Sequence, residues 1–393
     1  MTEQTEDRKT TAPGALQGYR EKLDGIDAEI LRLFTERMNV AGEIAGWKKE
    51  NSLPVLDVRR EREKLRAIEE ASPEELRDYS FTLSSNLLEL SRSYQNRLMN
   101  RQSAETEAIR RAIAETPQLF PERPVVACQG VEGAYSGIAC EKLFARPSIF
   151  YFSSFDAVFS AVEKGLCQYG VIPVENSTAG TVNAVYDLME KHDFRIIRSI
   201  RVKVDHNLLV KPGVKVEEIR EIYSHEQAIA QCRGFLQKFP NAKVIPCENT
   251  AIAARRVAES KDPGVAALSS RSCAKLYGLT AVMESVQDSA DNYTRFICIS
   301  KNLEIYPGAD RTSLMMVVRD EPGSLSKVLS RFAVLGINMH KLESRPIPGR
   351  NWEYLFYFDL DCSVYSPNFI QLMGELCDLS EKYEYLGSYS EVV

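Results

Sequence analysis

The chain has 393 residues, a formal net charge of −6 and an isoelectric point near 5.6. That length predicts two or three domains, and a hydrophobic fraction of 44% is enough to form folded cores. The acidic balance argues against broad nucleic-acid binding, which requires clustered Lys and Arg. The first residues are polar and no run of about 18 apolar residues occurs, so we expect neither a secretion signal nor a membrane-spanning helix.

Cysteine and histidine usage indicates the compartment and argues against a metal site. The nine Cys include no CxxC pair, and the four His show no HxxxH spacing. An odd number of thinly spread Cys is typical of a reducing cytosol rather than of a disulfide framework or a zinc site. We therefore expect a cytoplasmic protein that uses no metal and no other cofactor.

Residues 14–103 show helical periodicity and follow a tail, residues 1–13, that we expect to be disordered. Apolar residues recur every three or four positions in a first predicted helix of about 35 residues, namely at Leu16, Tyr19, Leu23, Ile26, Ile30, Leu33, Val40, Ile44 and Trp47. A second helix is predicted after Asp57 and a third after Ser72-Pro73. One chain can hardly cover so long an apolar stripe, so the pattern predicts a homodimer or a higher homo-oligomer.

The remaining chain predicts two further domains joined by short linkers. Residues 104–122 are polar and are expected to form the first linker. Strands and helices alternate over residues 123–302, which predicts an α/β domain with a largely parallel sheet and two lobes around a cleft. Residues 303–311 are expected to form the second linker. Residues 312–393 follow the order strand, helix, strand, strand, helix, strand, which is that of a small α+β ferredoxin-like domain.

Polar side chains occupy positions on the predicted apolar faces of the N-terminal helices. They are Arg37 and Lys48 on the first helix, Asp57 and Glu61 on the second, and Ser91 and Gln95 on the third. Arg37 and Lys48 lie about three helical turns apart and so share one face. Together these residues predict a cationic pocket for a small anionic ligand. Ordinary surface ion pairs one turn apart are the alternative.

Residues 14–100 resemble the all-helical chorismate mutase family. The resemblance is carried by YREKL at 19–23, Glu36-Arg37, Lys48, PVLDVRRER at 54–62 and SRSYQ at 91–95. It implies that Lys48 and Gln95 donate to the ether oxygen of chorismate. Chorismate rearranges to prephenate within one molecule, so cations and amide donors that stabilise the breaking C–O bond are sufficient.

The same resemblance implies the remaining substrate contacts of the mutase. Arg20, supplied by a partner chain, and Arg37 would bind substrate carboxylates, and Ser91 would assist one of them. Asp57, Arg60 and Glu61 would contact the substrate around its ring hydroxyl.

Polar clusters follow several predicted strands of the middle segment, where open α/β sheets place their ligands. They are EGAYS at 132–136, PVENSTAG at 173–180, YSH at 223–225 and NYTRF at 292–296. Through TRF at 294–296 and ENS at 175–177, residues 124–302 resemble prephenate dehydratase. That resemblance implies a two-lobed cleft like that of periplasmic-type binding proteins, in which prephenate loses CO₂ and its ring hydroxyl to give phenylpyruvate.

The dehydratase resemblance assigns a donor on the leaving oxygen to Thr294. Glu175 is an open candidate for the final proton source. Arg295 would pair with a substrate carboxylate. The residues expected to orient the substrate are Asn176, Ser177, Ser224 and Gln231.

Residues 312–393 resemble the ACT domain, a regulatory module that binds amino acids. The motifs are EPGSL at 321–325 and ESRP at 343–346; the family's usual GALV reads GSLS at 323–326. The effector contacts that this implies are Gly323, Ser324, Leu325, Asn338, Glu343, Ser344 and Arg345. Phenylalanine is the expected effector and feedback inhibitor. A ferredoxin-like domain that only dimerises is the alternative.

The three resemblances together imply an enzyme of phenylalanine biosynthesis with an isomerase and a carbon–oxygen lyase activity. Its expected ligands are chorismate, prephenate and phenylalanine, with neither nucleic acid nor membrane as a partner. Two alternatives stay open. One is a dehydratase that prefers arogenate, and the other is a non-catalytic regulator that binds amino acids.

Overall fold

The computed structural model describes residues 13–99, 104–347, 349 and 353–392, which form two compact units divided at residue 104. The tail predicted for residues 1–13 lies outside the described residues except for Pro13, which begins the first helix. Within the described ranges, no helix is both long and apolar enough to cross a bilayer.

The first unit consists of helices α1 (Pro13–Glu50), α2 (Val58–Ala71) and α3 (Arg77–Met99). The Asp57 carboxylate caps α2 by accepting a hydrogen bond from the backbone N–H of Arg60 at 3.0 Å. A short 3₁₀ turn, Glu74–Leu76, leads into α3. Helices α1 and α3 pack side by side around a small core that includes Ala45, Val55 and Met99. The three predicted helices are confirmed.

The second unit begins with α4 (Ala104–Glu115) and continues into the first lobe of the α/β region. The lobe contains α5 (Tyr135–Leu143), α6 (Phe155–Glu163), α7 (Asn183–Met189) and the strands β1 (Val125–Gln129), β2 (Ser148–Phe152), β3 (Tyr169–Asn176), β4 (Gly180–Thr181), β5 (Arg195–Lys203) and, later in the chain, β11 (Tyr293–Ser300). The strand order is β2-β1-β3-β11-β5, with β4 beside β3.

The second lobe lies between β5 and β11 in the chain. Its elements are β6 (Asn207–Val210), β7 (Glu221–His225), α8 (Glu226–Gln231), α9 (Arg233–Leu236), β8 (Lys243–Cys247), α10 (Thr250–Glu259), β9 (Val265–Ser269), α11 (Arg271–Tyr277) and β10 (Thr280–Met283). Its sheet order is β10-β6-β9-β7-β8. The predicted two-lobed α/β architecture is confirmed.

Both sheets are mixed rather than largely parallel. Strand β11 is antiparallel to both neighbours, β3 and β5, and β6 is antiparallel to β9 and β10. The chain crosses directly between the lobes before β6 and again before β11. Such direct crossings need no helical connection, so they do not impose the parallel pairing that a strand–helix–strand unit requires.

The C-terminal domain has the predicted ferredoxin-like order. It contains β12 (Arg311–Val317), α12 (Ser324–Val334), β13 (Asn338–Pro346), β14 (Tyr354–Asp361), α13 (Pro367–Leu379) and β15 (Lys382–Tyr389) in an antiparallel sheet ordered β13-β14-β12-β15. Leu314 and Met316 face the helices, whereas Met315 packs on the first lobe, as the alternation of a strand requires. A last strand, β16 (Glu391–Val392), pairs with β5 and so extends the sheet of the first lobe.

The two segments that the sequence suggested as linkers are packed parts of the second unit. Ile109 and Ala112 of α4 are buried in the core of the C-terminal domain. Ile305 and Ala309 of the second segment are buried there as well. Apolar residues three and four positions apart within an otherwise polar stretch explain the burial of α4.

Candidate active sites

The first candidate site lies between α1 and α3. Arg37 projects from α1 and donates from Nη1 to the Leu87 carbonyl at 2.9 Å and to the Ser91 hydroxyl. Burial lowers the pKa of this guanidinium. The structure therefore places Arg37 and Ser91 together on the inner side of the helices, as the sequence pattern predicts.

Lys48 and Gln95 complete the inner polar surface. Lys48 is half-buried, and its Nζ donates to the Val55 carbonyl at 2.6 Å. Gln95, one turn after Ser91 on α3, is 8% exposed, and its buried Oε1 has no hydrogen-bond partner among the described residues. Leaving a buried amide group unpaired is costly, so this group is available for a ligand.

Helix α2 supplies the acidic residues of the predicted pocket. Glu61 is held by an ion pair with Arg92 of α3, which also binds Glu89. The carboxylate of Asp57 accepts the capping hydrogen bond of α2, and Arg60 is exposed. Arg92 was not among the residues that the sequence singled out. Arg20 is exposed on α1, so within one chain it does not join the pocket.

Lys64 of α2 is a further cation that the sequence pattern missed. Lys64 is exposed overall, but partial burial and then the nearby positive charges of Arg37 and Arg60 lower its pKa. Cations that repel one another in this way favour an anionic ligand. The only signal in the sequence is that Lys64 follows Arg60 by one helical turn.

The second candidate site is a cavity of about 170 Å³ between the two lobes. The first lobe contributes Asn176 at the end of β3 and Thr294 at the start of β11. The second contributes His206, His225 and Gln231, among others. Thus the structure brings together Thr294, Asn176 and Gln231 from three separate sequence motifs.

A chain of hydrogen bonds fixes the orientation of the cleft amides. Asn176 Oδ1 accepts the backbone N–H groups of Thr178 and Ala179 at 3.0 and 2.8 Å. Its Nδ2 therefore faces the other way, donating to Thr294 Oγ1 at 3.0 Å and to Asn292 Oδ1 at 2.8 Å. Because Thr294 Oγ1 accepts this bond, its own proton is free to be donated to a ligand.

The same chain determines the tautomer of His206. With Asn292 Oδ1 engaged, Asn292 Nδ2 donates to Gln231 Oε1 at 3.0 Å. His206 Nε2 lies 3.0 Å from the same oxygen and must donate to it. Its Nδ1 is then an acceptor, buried and without a hydrogen-bond partner within the described structure. Burial lowers the pKa of His206, although the bond to Gln231 raises it.

His206 is a residue of the cleft that the sequence motifs did not identify. Asn292 belongs to the NYTRF cluster at 292–296, but the sequence assigned no role to it. His206 follows an apolar strand as a lone histidine, which in sequence is indistinguishable from an ordinary core residue. Its place in the cavity follows from the chain crossing between the lobes.

Two residues that the sequence assigned to the dehydratase cleft point away from it. Arg295 donates to Glu391 at 2.9 Å, to the Tyr389 hydroxyl at 3.0 Å and to Asp359, all in the C-terminal segment. The assignment of Arg295 to a substrate carboxylate is therefore wrong for this structure, since its carboxylate partners belong to the protein. Neighbouring residues of a strand face opposite sides, and Thr294 occupies the cleft side.

Glu175 is displaced from the cleft for the same reason. Its carboxylate lies 2.9 Å from Lys341 Nζ of β13, on the face opposite Asn176. The structure thus does not support Glu175 as the proton source for the leaving hydroxyl.

The two candidate serines of the dehydratase make structural hydrogen bonds. Ser224 is fully buried and donates to the Leu268 carbonyl at 2.7 Å, joining β7 to β9. The Ser177 hydroxyl donates to the Asp291 carbonyl at 2.8 Å and accepts the Tyr293 N–H at 3.0 Å. Ser177 therefore ties the ENS segment to the chain just before Thr294.

The C-terminal domain separates the predicted effector residues. Gly323, at φ +82°, begins α12, and together with Ser324 and Leu325 it lines a cavity that also contacts Tyr354. Asn338 pairs with Asp361 at one end of β13, whereas Tyr354 pairs with the other end. Within one chain Asn338 therefore does not lie beside the Gly323 loop, because it begins β13 at the far end of the sheet and only the Pro346 end of that strand approaches Tyr354.

The ESRP motif alternates between two environments. Glu343 accepts a hydrogen bond from Thr181 at 2.8 Å, and Arg345 pairs with Asp187 at 2.7 Å. Both partners belong to the first lobe, so these two side chains face that lobe instead of the Gly323 cavity. Ser344 is exposed on the opposite face of β13.

Comparisons with known proteins agree with the three-part organisation. The family model for chorismate mutase type II matches residues 19–96, that for prephenate dehydratase matches residues 126–304, and that for the ACT domain matches residues 312–364. The bifunctional chorismate mutase/prephenate dehydratase of Escherichia coli (strain K12) is 30% identical over 388 residues, covering 96% of this chain and 97% of that protein. The chain belongs to this bifunctional family.

Two further relatives each cover about two thirds of the chain. Arogenate dehydratase/prephenate dehydratase 2 of Arabidopsis thaliana is 36% identical over 276 residues, which are 67% of this chain and 72% of that protein. The prephenate dehydratase of Arthrobacter aurescens, solved in complex with L-Phe, is 30% identical with a TM-score of 0.63, covering 68% of this chain and 90% of that one. The bifunctional family combines chorismate mutase and prephenate dehydratase activities with an ACT regulatory domain.

Proposed function

We propose that the mutase reaction takes place between α1, α2 and α3, with Arg37, Lys48 and Gln95 as its central groups. Arg37 and Ser91 would hold a carboxylate of chorismate. Lys48 and the amide of Gln95 would donate to the ether oxygen as the C–O bond breaks and negative charge develops there. The observation that best supports a ligand here is the buried Oε1 of Gln95, which has no partner among the described residues and could accept a hydrogen bond from a substrate hydroxyl while the NH₂ group of the same amide donates.

In the dehydratase cleft, Thr294 would donate its hydroxyl proton toward the leaving hydroxyl of prephenate. The C–CO₂⁻ bond breaks, its electron pair enters the ring, and the ring expels hydroxide. The Thr294 hydroxyl would pass one proton to that hydroxide and regain one from solvent water, so the leaving group departs as water. The products are phenylpyruvate, CO₂ and water. Because Thr294 Oγ1 accepts the bond from Asn176, its own proton points away from Asn176 and can be donated to a ligand, and this observation carries the proposal.

The experiment that tests this assignment is Thr294→Ala in the full chain, with Thr280→Ala, an exposed threonine of β10, as the matched control. Prephenate and chorismate are supplied in separate assays. We expect Thr294→Ala to lower phenylpyruvate formation by about 10²- to 10⁴-fold, the usual contribution of a positioned proton donor, and to leave chorismate consumption unchanged. Phenylpyruvate formation at the unsubstituted rate would refute the role of Thr294.

Arogenate is the alternative substrate to test, because the Arabidopsis relative is named for both arogenate and prephenate dehydratase. The fused mutase supplies prephenate, which favours prephenate as the substrate of this chain. Parallel kcat/KM measurements with the two substrates decide between them.

The ACT domain would bind phenylalanine at the cavity beside Gly323 and thereby inhibit the dehydratase. That cavity, the fold and the solved relative with L-Phe support this role. Calorimetric titration of the full chain with phenylalanine and with tyrosine tests it. Absence of phenylalanine binding would refute this part of the proposal.

The active form would be a homodimer or a higher homo-oligomer. The apolar stripe of α1 is exposed in a single chain, with Tyr19 at 68% and Ile30 at 57%, and Arg20 lies on the same helix. A second copy could cover the stripe and bring its Arg20 to the mutase pocket. The eight described Cys are free thiols, which supports a cytoplasmic location.

A further inference from the structure

Strands β3 and β11 carry the cleft residues on one face and charged residues on the other. In their antiparallel register Thr294 lies opposite Asn176, and Arg295 lies opposite Glu175. Because side chains alternate along a strand, a shift of Arg295 or Glu175, which lie behind the cleft, also shifts the adjacent Thr294 or Asn176 in the cleft. Both members of the rear pair contact the C-terminal domain.

Arg295 is the more buried member of the rear pair, at 8% exposure. Its guanidinium binds Asp359 of β14 and Glu391 of β16 together with the Tyr389 hydroxyl. Asp359 is 1% exposed and also accepts a hydrogen bond from Ser313 at 2.5 Å. Burial alone would raise the pKa of Asp359, but the charge of Arg295 and the hydrogen bonds from Ser313, Arg295 and Tyr357 together lower that pKa.

Glu175 has an equivalent partner on the neighbouring strand of the C-terminal domain. Lys341 of β13 is 9% exposed at its side chain and lies 2.9 Å from the Glu175 carboxylate. Its Nζ also donates to the Thr181 hydroxyl of β4 at 3.0 Å. Two adjacent strands behind the cleft are thus each tied to the same domain by an ion pair.

We propose that Arg295 and Glu175 are positioning residues of the dehydratase. Their ion pairs with Asp359 and Lys341 hold β11 and β3 in the register that aligns Thr294 with Asn176. The inference rests on the proposed role of Thr294 and Asn176 in the cleft. A loss of either ion pair would loosen the alignment of the donor without removing any group that touches the substrate.

The chain offers a matched control at the same interface. Asp187 of α7 pairs with Arg345 of β13 at 2.7 Å, so Asp187→Asn breaks a third ion pair between the first lobe and the C-terminal domain. Asp187 does not lie on either cleft strand. A general weakening of the interface would therefore affect this variant as much as the variants of the rear pair.

The experiment measures kcat and KM for prephenate in full-length Lys341→Met, Glu175→Gln, the double variant and Asp187→Asn. We expect each single variant to lower kcat by about tenfold, with KM changed by less than about twofold, since small misplacements of reacting groups reduce turnover. The double variant should be no worse than either single one, because both remove the same interaction. Asp187→Asn should retain its kcat.

Arg295→Lys and Asp359→Asn test the pair between Arg295 and Asp359. If either of these buried variants fails to fold, Lys341→Met still tests the proposal through the pair with Glu175. An unchanged kcat in Lys341→Met, an equal loss in Asp187→Asn, or additive losses in the double variant would overturn the proposal. Thr294→Ala in the same assay distinguishes the role of Thr294 in the cleft from the positioning role of Arg295 and Glu175. If Thr294→Ala retains activity, the cleft assignment fails; if only the rear-pair variants retain it, the positioning role fails.

Discussion

The mutase pocket and the dehydratase cleft use opposite arrangements of charge. In the pocket between α1 and α3, the cations Arg37 and Lys48 face inward beside Gln95, whose amide oxygen has no partner in the described part of the chain. In the cleft between the lobes, Thr294 and Asn176 belong to a chain of neutral hydrogen-bonding groups. The charged residues of the cleft strands lie behind them and pair with the C-terminal domain.

The two reactions explain this difference. The mutase rearrangement transfers no proton and develops negative charge on one oxygen, so fixed cations stabilise its transition state. Loss of water requires a proton delivered in one direction, and a network with a single consistent set of donors and acceptors provides that direction. If the proposed sites are correct, the same chain stabilises one transition state by charge and the other by the orientation of hydrogen-bond donors.

The largest effect is expected for Lys48→Ala, with Lys49→Ala as the control. Lys49 is the exposed neighbour of Lys48 at the end of α1. Removing a charge aimed at the developing oxyanion should lower mutase kcat by about 10²- to 10³-fold. Chorismate consumption measures the effect, and phenylpyruvate formation from added prephenate should be unchanged. A mutase that tolerates Lys48→Ala would show that charge does not govern this site.

Gln231→Leu tests whether orientation governs the dehydratase cleft. It removes the oxygen that accepts hydrogen bonds from both His206 and Asn292 while preserving much of the side-chain volume. We expect a loss of about tenfold in dehydratase kcat/KM, equivalent to about one to two hydrogen bonds of net value.

The exposed Gln237, changed to Leu, is the control for that measurement. Equal rates in Gln231→Leu and Gln237→Leu would contradict a functional hydrogen-bond chain. Mutase activity in the same preparations reports whether the protein remains folded.

Lys64→Met tests whether the positive charge near Arg37 and Arg60 contributes to substrate binding in the mutase pocket. Because Lys64 lies near Arg37 and Arg60, its removal should weaken attraction of the dianionic substrate, raising the mutase KM by about two- to fivefold, as partly solvated charges usually do. Arg66→Met removes an exposed cation of the same helix that pairs with Glu70 and should leave KM unchanged. A KM insensitive to salt and to Lys64→Met would remove Lys64 from the site.

The smallest expected effect concerns the pH dependence of stability. Burial lowers the pKa of His206 in the folded chain, whereas in the unfolded chain it keeps an ordinary value near 6.5. As pH falls below about 6.5 the unfolded state gains a proton that the folded state does not, so the free energy of unfolding decreases. The slope contributed by one group is at most about 1.4 kcal/mol per pH unit.

Urea unfolding at pH 7.5 and 5.5 measures this effect, with His206→Gln as the comparison. The variant should lose less stability than the unsubstituted chain over that interval. An identical loss in both proteins would mean that His206 titrates equally in the folded and unfolded states.

Much of this structure could be predicted from residue patterns. The three N-terminal helices follow the apolar period, and the order of elements in the C-terminal domain follows from its strand and turn signals. The location of Arg37, Lys48 and Gln95 on inner helix faces follows from the same period. Helical faces are local properties, so a sequence contains them directly.

The rest depends on contacts between distant segments. Strand alternation indicates that Thr294 and Arg295 face opposite sides of β11. It does not show which side faces the cleft, or that Asp359 lies on the other side. His206 gains its role from a crossing between lobes. Asn338 was misplaced because the direction of β13 relative to the Gly323 loop is set by the sheet register.

Because α4 packs in the core of the C-terminal domain, its burial depends on residues that are synthesised much later. Ile109 and Ala112 leave the ribosome long before α13, whose Leu372 belongs to the same core. At a synthesis rate of about 5–20 residues per second, on the order of ten seconds or more pass between the synthesis of α4 and that of α13. During that time its apolar face is open to chaperones or to other nascent chains, so the dehydratase lobes must fold while flanked by an incomplete domain.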